Sequence, residues 1–248
     1  MNVRWTYLVA SSLVLLGSSC TGTEGGNPAV PAHLALSAYS TDATRVSLGE
    51  GGSHAAVTDA WAVVRDLKLE RADRCDEGTA EKVVFDGAFA ARLTTDPAVR
   101  EFDADPQPYC RLTMKIDDTT DVDLRDAPAE LSLHSVLVRG TRSTDGAPFL
   151  LRSRQKLDIE LRSRGDAFVV DPDAPSLLLG FDLVTWLGML DLESADLEPD
   201  GSLLIDADHN RDLLDVFDDQ LVLALRLFHD RDGDRSVSDE EASTPLAE

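Results

Sequence analysis

The residues best suited to chemistry form an acidic run near the end of the sequence, which reads Asp230-Arg-Asp232-Gly-Asp234-Arg-Ser236-Val-Ser238-Asp-Glu-Glu241. Carboxylate and carbonyl oxygens are the ligands that Ca²⁺ prefers, and the ion takes six to eight of them. A loop that curls around an ion turns alternate residues towards it, and this run has that spacing. We therefore predict a calcium site formed by Asp230, Asp232, Asp234, Ser236 and Glu241.

The register of this run resembles the calcium loop of the EF-hand, which carries aspartates at positions 1, 3 and 5 and a glutamate at position 12. Two residues depart from that pattern. Arg235 takes position 6, where glycine normally makes the turn, and Pro245 follows soon after Glu241 and shortens the exiting helix. We expect a single loop with the weak affinity of extracellular sites, about 10⁻⁴–10⁻³ M. The alternative is a frayed acidic tail in a chain rich in aspartate.

A second group of candidate residues is cationic. Arginine recurs between positions 139 and 164, in a chain whose formal net charge is −23. If the stretches near 150 and 160 form adjacent hairpin strands, their arginines make a positive strip that suits an anionic glycan or an acidic envelope protein. The residues expected to form this strip are Arg152, Arg154, Arg162 and Arg164. The alternative is that Asp158 and Glu160 pair with them on a solvent-exposed face.

No familiar enzyme motif is present. The sequence lacks the G-x-S-x-G, H-E-x-x-H and phosphate-loop patterns, and its five histidines are scattered without paired spacing. We therefore assign no catalytic residue, although a hydrolase site assembled in space from distant residues remains open. The strongly acidic charge argues against nucleic acid and against the surface of an anionic bilayer as partners, because both repel it.

The start of the sequence predicts export. An apolar run at 8–16 leads into Gly17-Ser-Ser-Cys20. The run is too short to span a bilayer, which needs roughly 20 apolar residues, and it is typical of a secretory signal. With Cys20 directly after the expected cleavage site, this segment resembles the lipobox of bacterial lipoproteins, although Gly17 stands where that motif usually has Leu. The resemblance implies removal of residues 1–19 and acylation of Cys20; the alternative is an ordinary signal with a chance cysteine.

Residues 20–32 are rich in Gly and Pro and predict a flexible lipidated tether. The residue after the cysteine is Thr21 and not Asp, which resembles the pattern of lipoproteins that are sent to the outer membrane. We therefore expect the protein at the periplasmic face of the outer membrane or at the cell surface. Two cysteines then remain, Cys75 and Cys110, and an even number in an exported chain indicates a disulfide. Two buried thiols or a metal pair are the alternatives.

Alternation of apolar and polar residues predicts a β domain over residues 33–205. The alternation is clearest at 34–38, 57–69, 112–116 and 157–161. A period of two places one face of each strand in the core and the other in water. Many short strands separated by turn residues predict a mainly β fold, an antiparallel β-sandwich of prealbumin or immunoglobulin type.

Two helices interrupt this β pattern. Apolar residues at helical spacing predict a short helix over 183–190, with Asp182 as its N-cap. A longer apolar stripe predicts a helix over 211–229 that begins after Asn210. The residues of that stripe are Leu214, Phe217, Leu221, Leu225 and Phe228. This second helix would belong to a C-terminal unit, residues 206–248, and would lead into the calcium loop.

Three segments together resemble an uncharacterised β-rich domain family of bacterial surface lipoproteins. They are Asp59-Ala-Trp-Ala-Val-Val-Arg-Asp-Leu-Lys-Leu, Pro108-Tyr-Cys-Arg-Leu and Leu177-Leu-Leu-Gly-Phe-Asp. The resemblance covers about residues 33–205 and implies a prealbumin-like sandwich without established catalytic residues. With the signal and the acidic loop, it leads us to expect a lipid-anchored envelope protein with a binding or structural role.

Overall fold

A computed structural model of the protein describes residues 29–72, 75, 81–105, 107–163, 166–173 and 175–248. The predicted signal, Cys20 and most of the tether therefore lie outside the described residues, as does Arg164. Within the described ranges, no helix is both long and apolar enough to cross a membrane.

The described chain is mainly β, as predicted. Its strands are β1 Val30–Tyr39, β2 Val46–Leu48, β3 Ala55–Arg71, β4 Glu81–Val84, β5 Phe89–Arg92, β6 Ala98–Ala104, β7 Tyr109–Ile116, β8 Val136–Arg142, β9 Pro148–Ser153, β10 Leu157–Arg162, β11 Ser176–Asp182, β12 Leu203–Ile205 and β13 Leu225–His229. The α-helices are α1 Leu183–Leu187, α2 Arg211–Gln220 and α3 Asp239–Ala242, and short 3₁₀ turns lie at Ala129–Leu131 and Val222–Ala224.

The described strands form two sheets. One has the order β13-β11-β1-β6, and the other has the order β10-β7-β3-β8-β9-β12, with β2, β4 and β5 also paired to β3. The expectation of purely antiparallel pairing is wrong, because β1 pairs with β11, β9 with β12 and β2 with β3 in parallel. For β1 with β11 and for β9 with β12, a long stretch of chain supplies the crossover connection that parallel neighbours usually need.

The strand β3 is the spine of the larger sheet. β8 pairs with β3 from Ala55 to Ala62, and β7 pairs with β3 from Val64 to Arg71. Since β9 borders β8 and β10 borders β7, β9 and β10 run end to end instead of side by side. The hairpin of β9 and β10 that the sequence suggested is therefore wrong.

The two sheets share one hydrophobic core. Leu34 and Leu36 of the smaller sheet and Leu69 and Leu112 of the larger sheet belong to the same cluster and are fully buried. The predicted short helix is present as α1, and the Asp182 carboxylate caps it by accepting a hydrogen bond from the amide of Val184 at 3.1 Å. Burial of α1 and α2 thus extends the core beyond the strands.

The predicted helix over 211–229 is shorter than expected. It ends at Gln220, and residues Leu225–His229 form β13, which pairs with β11. The side chain of Leu227 faces the main core and that of Phe228 faces a second cluster, so β13 is buried on both faces. A short strand buried on both faces has an apolar run that periodicity alone does not separate from a helix. A strand therefore leads into the acidic loop.

The predicted disulfide is confirmed. Cys75 and Cys110 are bonded, with their Cα atoms 5.2 Å apart. The bond ties the segment that follows β3 to β7, and Cys110 is fully buried. It closes a loop over a sequence separation of 35 residues.

Loss of this disulfide should destabilise the fold. Cys75→Ser is expected to lower the free energy of unfolding by about 3–4 kcal/mol, because the unfolded chain regains the entropy of the open loop. Urea denaturation with and without reductant measures this loss. Reductant should shift the midpoint of the wild-type chain and leave that of Cys75→Ser unchanged; equal wild-type midpoints under both conditions would contradict the prediction.

Candidate metal centre

The acidic loop begins where β13 ends. The amide of Asp230 donates a hydrogen bond to the carbonyl of Ser176 at 3.0 Å, so the first loop residue is still fixed to β11. Asp230 and Glu241, at the two ends of the loop, are each 3% exposed. Asp232 and Asp234 between them are exposed to solvent. The loop is therefore anchored at both ends and open in the middle.

Three of the predicted ligands converge. Asp230, Asp232 and Asp234 each offer a carboxylate oxygen, and these oxygens lie within 4.8 Å of one another. Burial raises the pKa of the Asp230 carboxyl most, and the negative charges of Glu241, Asp232 and Asp234 raise it further, while a hydrogen bond from the Gly233 amide at 2.8 Å opposes them. A cation at this point would offset both the burial and the repulsion.

The loop backbone makes the turn that the spacing requires. Asp232 accepts a hydrogen bond from the amide of Asp234 at 3.2 Å, and Asp234 accepts one from the amide of Ser236 at 2.7 Å. Arg235 adopts the left-handed conformation, with φ of 65°, at the position where glycine is usual. Arg235 in place of glycine thus does not prevent the turn, although the left-handed conformation of a residue with a Cβ costs about 1–2 kcal/mol.

Glu241 closes the loop through the backbone. Its Oε1 accepts a hydrogen bond from the Arg231 amide at 2.8 Å, and its Oε2 accepts one from the Ser238 amide at 2.9 Å. Ser238 caps α3 in return and completes a capping box with Glu241. The predicted fourth carboxylate is therefore at the loop, but its oxygens are used by amides at the two ends of the loop, and the converging set consists of the three aspartates.

An apolar contact holds the loop on the outer face of the smaller sheet. Val237 and Ala242 pack against a small cluster that contains Tyr39 and Phe228, whose rings meet edge to face with centroids 5.5 Å apart. Gly180 makes room for these rings, because a Cβ there would lie 2.7 Å from Phe228 and 2.9 Å from Tyr39. The loop thus covers apolar surface that a free acidic tail would leave exposed.

The described arginines do not form the predicted strip. Arg152 lies in β9 and pairs with Asp206, and Arg162 lies in β10 and donates to Glu160 at 2.5 Å. Arg154 lies in the short link between the two strands and is exposed. Because β9 and β10 run end to end, Arg152 and Arg162 are spread along the sheet instead of facing each other.

A polar cleft of about 330 Å³ forms where sequence patterns gave no signal. Arg152 and Arg154 line it together with His134, Asp206 and Asp218. These residues come from β9 and the link after it, from the segment just before β8, from the turn between β12 and α2, and from α2, so only the folded chain brings them together.

The cleft holds carboxyl groups whose pKa values shift in opposite directions. Burial alone would raise the pKa of Asp206, but hydrogen bonds from His209, from the amide of Asp208 and from Arg152 outweigh burial and hold that pKa far below its usual value. Burial raises the pKa of Asp218, whose Oδ1 accepts a hydrogen bond from the Ser153 hydroxyl at 2.5 Å. Two carboxyl groups with pKa values shifted in opposite directions are a feature of hydrolases. Here, however, Asp206 is bonded to Arg152 and to the turn between β12 and α2, which gives it a structural role.

Comparison with solved structures finds a distant similarity. The chain is similar to MbnP from Methylosinus trichosporium, with a TM-score of 0.38 and 12% sequence identity over 69% of this chain and 82% of that chain. No protein-family model and no curated protein matches the chain.

Asp218→Asn should stabilise the protein at neutral pH. Because burial raises the folded-state pKa of Asp218 above the unfolded value, the charged carboxylate opposes folding at pH 7, and the amide removes that charge while its oxygen still accepts from Ser153. The gain should disappear as the pH falls through the raised pKa towards 3.8. Thermal unfolding of both chains across this pH range measures it.

The matched control for this variant is Asp219→Asn, which removes the same charge from an exposed neighbour in α2. Its effect should be smaller, because an exposed charge interacts only weakly with its surroundings. Equal gains from the two variants would show that burial of Asp218 is not the cause.

Proposed function

We propose that the protein is a bacterial envelope lipoprotein whose exported β-sandwich binds one Ca²⁺ ion at residues 230–241 and has a binding or structural role. The observation that supports the cation site most strongly is the convergence of three aspartate oxygens around the buried Asp230. The sandwich is supported by the single core that the two sheets share.

Calcium fits the donors better than other common metals do. The converging groups are carboxylates, which are hard oxygen ligands, and a loop with an exposed middle leaves room for water to complete seven or eight positions. Mg²⁺ demands a tighter octahedron, and Zn²⁺ favours nitrogen and sulfur ligands. Because Glu241 is engaged by backbone amides, the affinity should be weak, with a Kd of about 10⁻⁴–10⁻³ M.

The ion would be structural. Calcium sensors open a pair of helices around a loop. Here a sheet strand leads into the loop, and a helix of four residues leads out of it and packs on the same sheet. An ion bound there would stabilise the attachment of the loop to the sheet and would not open a pair of helices.

Calorimetric titration tests the cation site. The wild-type chain should bind one Ca²⁺ weakly, and Asp230→Asn should weaken binding at least about tenfold, because the amide keeps the shape of the side chain but lacks the charge that attracts the ion. Asp239→Asn is the matched control, since Asp239 is in the same loop but exposed at the start of α3. An isotherm unchanged by Asp230→Asn would refute the site.

The anchor is supported by the sequence alone, since Cys20 lies outside the described residues. An acylated Cys20 would tether the domain to a bilayer while the body of the protein remains outside the cytosol. The confirmed disulfide agrees with an oxidising compartment, where such bonds persist. Thr21 favours the outer membrane, at its periplasmic face or at the cell surface.

Cell fractionation tests the anchor. Cys20→Ala should move the protein from the membrane fraction to the soluble fraction and abolish metabolic labelling with a fatty acid, because the only thiol at the cut is lost. Ser11→Ala, inside the predicted signal, is the control and should stay membrane-bound. A Cys20→Ala protein that remained in the membrane fraction would disprove the lipid anchor.

A further inference from the structure

Residues 246–248 form a seam between the two sheets. Ala247 makes two antiparallel bridges. One is to Leu227 of β13 in the smaller sheet, and the other is to Ser163, just after β10 of the larger sheet. On one side, the amide of Leu227 donates to the carbonyl of Ala247 at 2.9 Å, and the amide of Leu246 donates to the carbonyl of Leu227 at 2.7 Å. We call residues 246–248 the seam segment.

The other side of the seam segment is bonded to the larger sheet. The amide of Glu248 donates to the carbonyl of Arg162 at 3.1 Å, and the amide of Arg162 donates to the carbonyl of Glu248 at 3.2 Å. Arg226 of β13 adds an ion pair with Glu248 at 3.3 Å, and Ala247 is 1% exposed. The seam segment is therefore a short strand that completes a path from one sheet to the other.

The acidic loop is the connection between β13 and the seam segment. The chain leaves β13 at His229, passes through residues 230–241 and returns beside Leu227, so the loop is the turn of a wide hairpin. Closing a long flexible turn costs conformational entropy. The three aspartates resist closure as well, because their carboxylates repel one another when they are brought within 4.8 Å.

Resting on the calcium site proposed above, we propose that cation binding at residues 230–241 controls closure of the seam between the two sheets. A bound Ca²⁺ fixes the turn and cancels the repulsion of Asp230, Asp232 and Asp234. The seam segment then pairs with β13 and β10. Without the ion, the loop loosens, the seam segment leaves Arg162 and Leu227, and the backbone of β10 at Arg162 becomes available for another strand.

Coupling of this kind is reciprocal. If Ca²⁺ favours pairing of the seam segment, then pairing of the seam segment must favour Ca²⁺ by the same factor, although residues 246–248 supply no ligand to the ion. This reciprocity separates a coupled device from a loop that only binds an ion locally.

The test uses the full chain in detergent, with Ca²⁺ and with a chelator. Hydrogen exchange at the amides of Arg162, Leu227, Leu246 and Glu248 should accelerate at least about tenfold when the ion is removed, while exchange in the centre of β3 stays unchanged. In calorimetry, deletion of residues 246–248 should raise the Kd for Ca²⁺ by about tenfold. Arg226→Gln, which removes only the ion pair with Glu248, should shift both readouts in the same direction by less.

Leu151→Ala controls for general loss of stability, because Leu151 is buried in β9 away from the seam. It should lower the melting temperature and leave the Kd unchanged; an equal rise in Kd from Leu151→Ala and from the deletion would overturn the coupling. Ca²⁺ binding that is unaffected by the deletion, together with unchanged exchange at the seam, would overturn the coupling and leave the cation site standing. A wild-type chain that binds no Ca²⁺ would overturn both proposals.

Discussion

The architecture depends on a single strand that is long enough to carry two sets of neighbours. β3 is 17 residues long, and β8 and β7 follow each other along the same edge of it. Val63 joins the two halves, because its amide donates to the carbonyl of Ser135 at 2.8 Å and its carbonyl accepts from the amide of Asp117 at 3.2 Å. Because β7 and β8 follow each other along β3, β10 lies where the seam segment binds, and β9 lies at the wall of the polar cleft.

The sequence predicted the strand content and the disulfide, because period-two alternation and an even cysteine count reflect local chemistry. It did not predict which strands are neighbours. β9 and β10 are separated by only three residues, which suggested a hairpin, yet pairing along β3 sets them end to end. It also assigned Leu225 and Phe228 to a helix, since a strand buried on both faces lacks the alternation that distinguishes strands.

The parts of the candidate site that were predictable are those whose residues lie close together in the sequence. The convergence of Asp230, Asp232 and Asp234 follows from spacing within one loop, so the pattern of residue types was sufficient. The role of Glu241 was not predictable, since its bonds to amides at both ends of the loop depend on the folded turn. The cleft at His134 and Asp218 was invisible, because its residues come from distant segments that share no motif.

The parallel pairing of β1 with β11 has a consequence for the order of folding. β1 lies in the middle of its sheet, and its partner strand on one side runs from position 176 to position 182, far along the chain. Contacts between such remote segments form slowly, because a large loop must close before they contribute stability. A nascent chain can therefore pair β1 with β6 early, but the other edge of this apolar strand stays open until β11 has been made, so the smaller sheet is completed late.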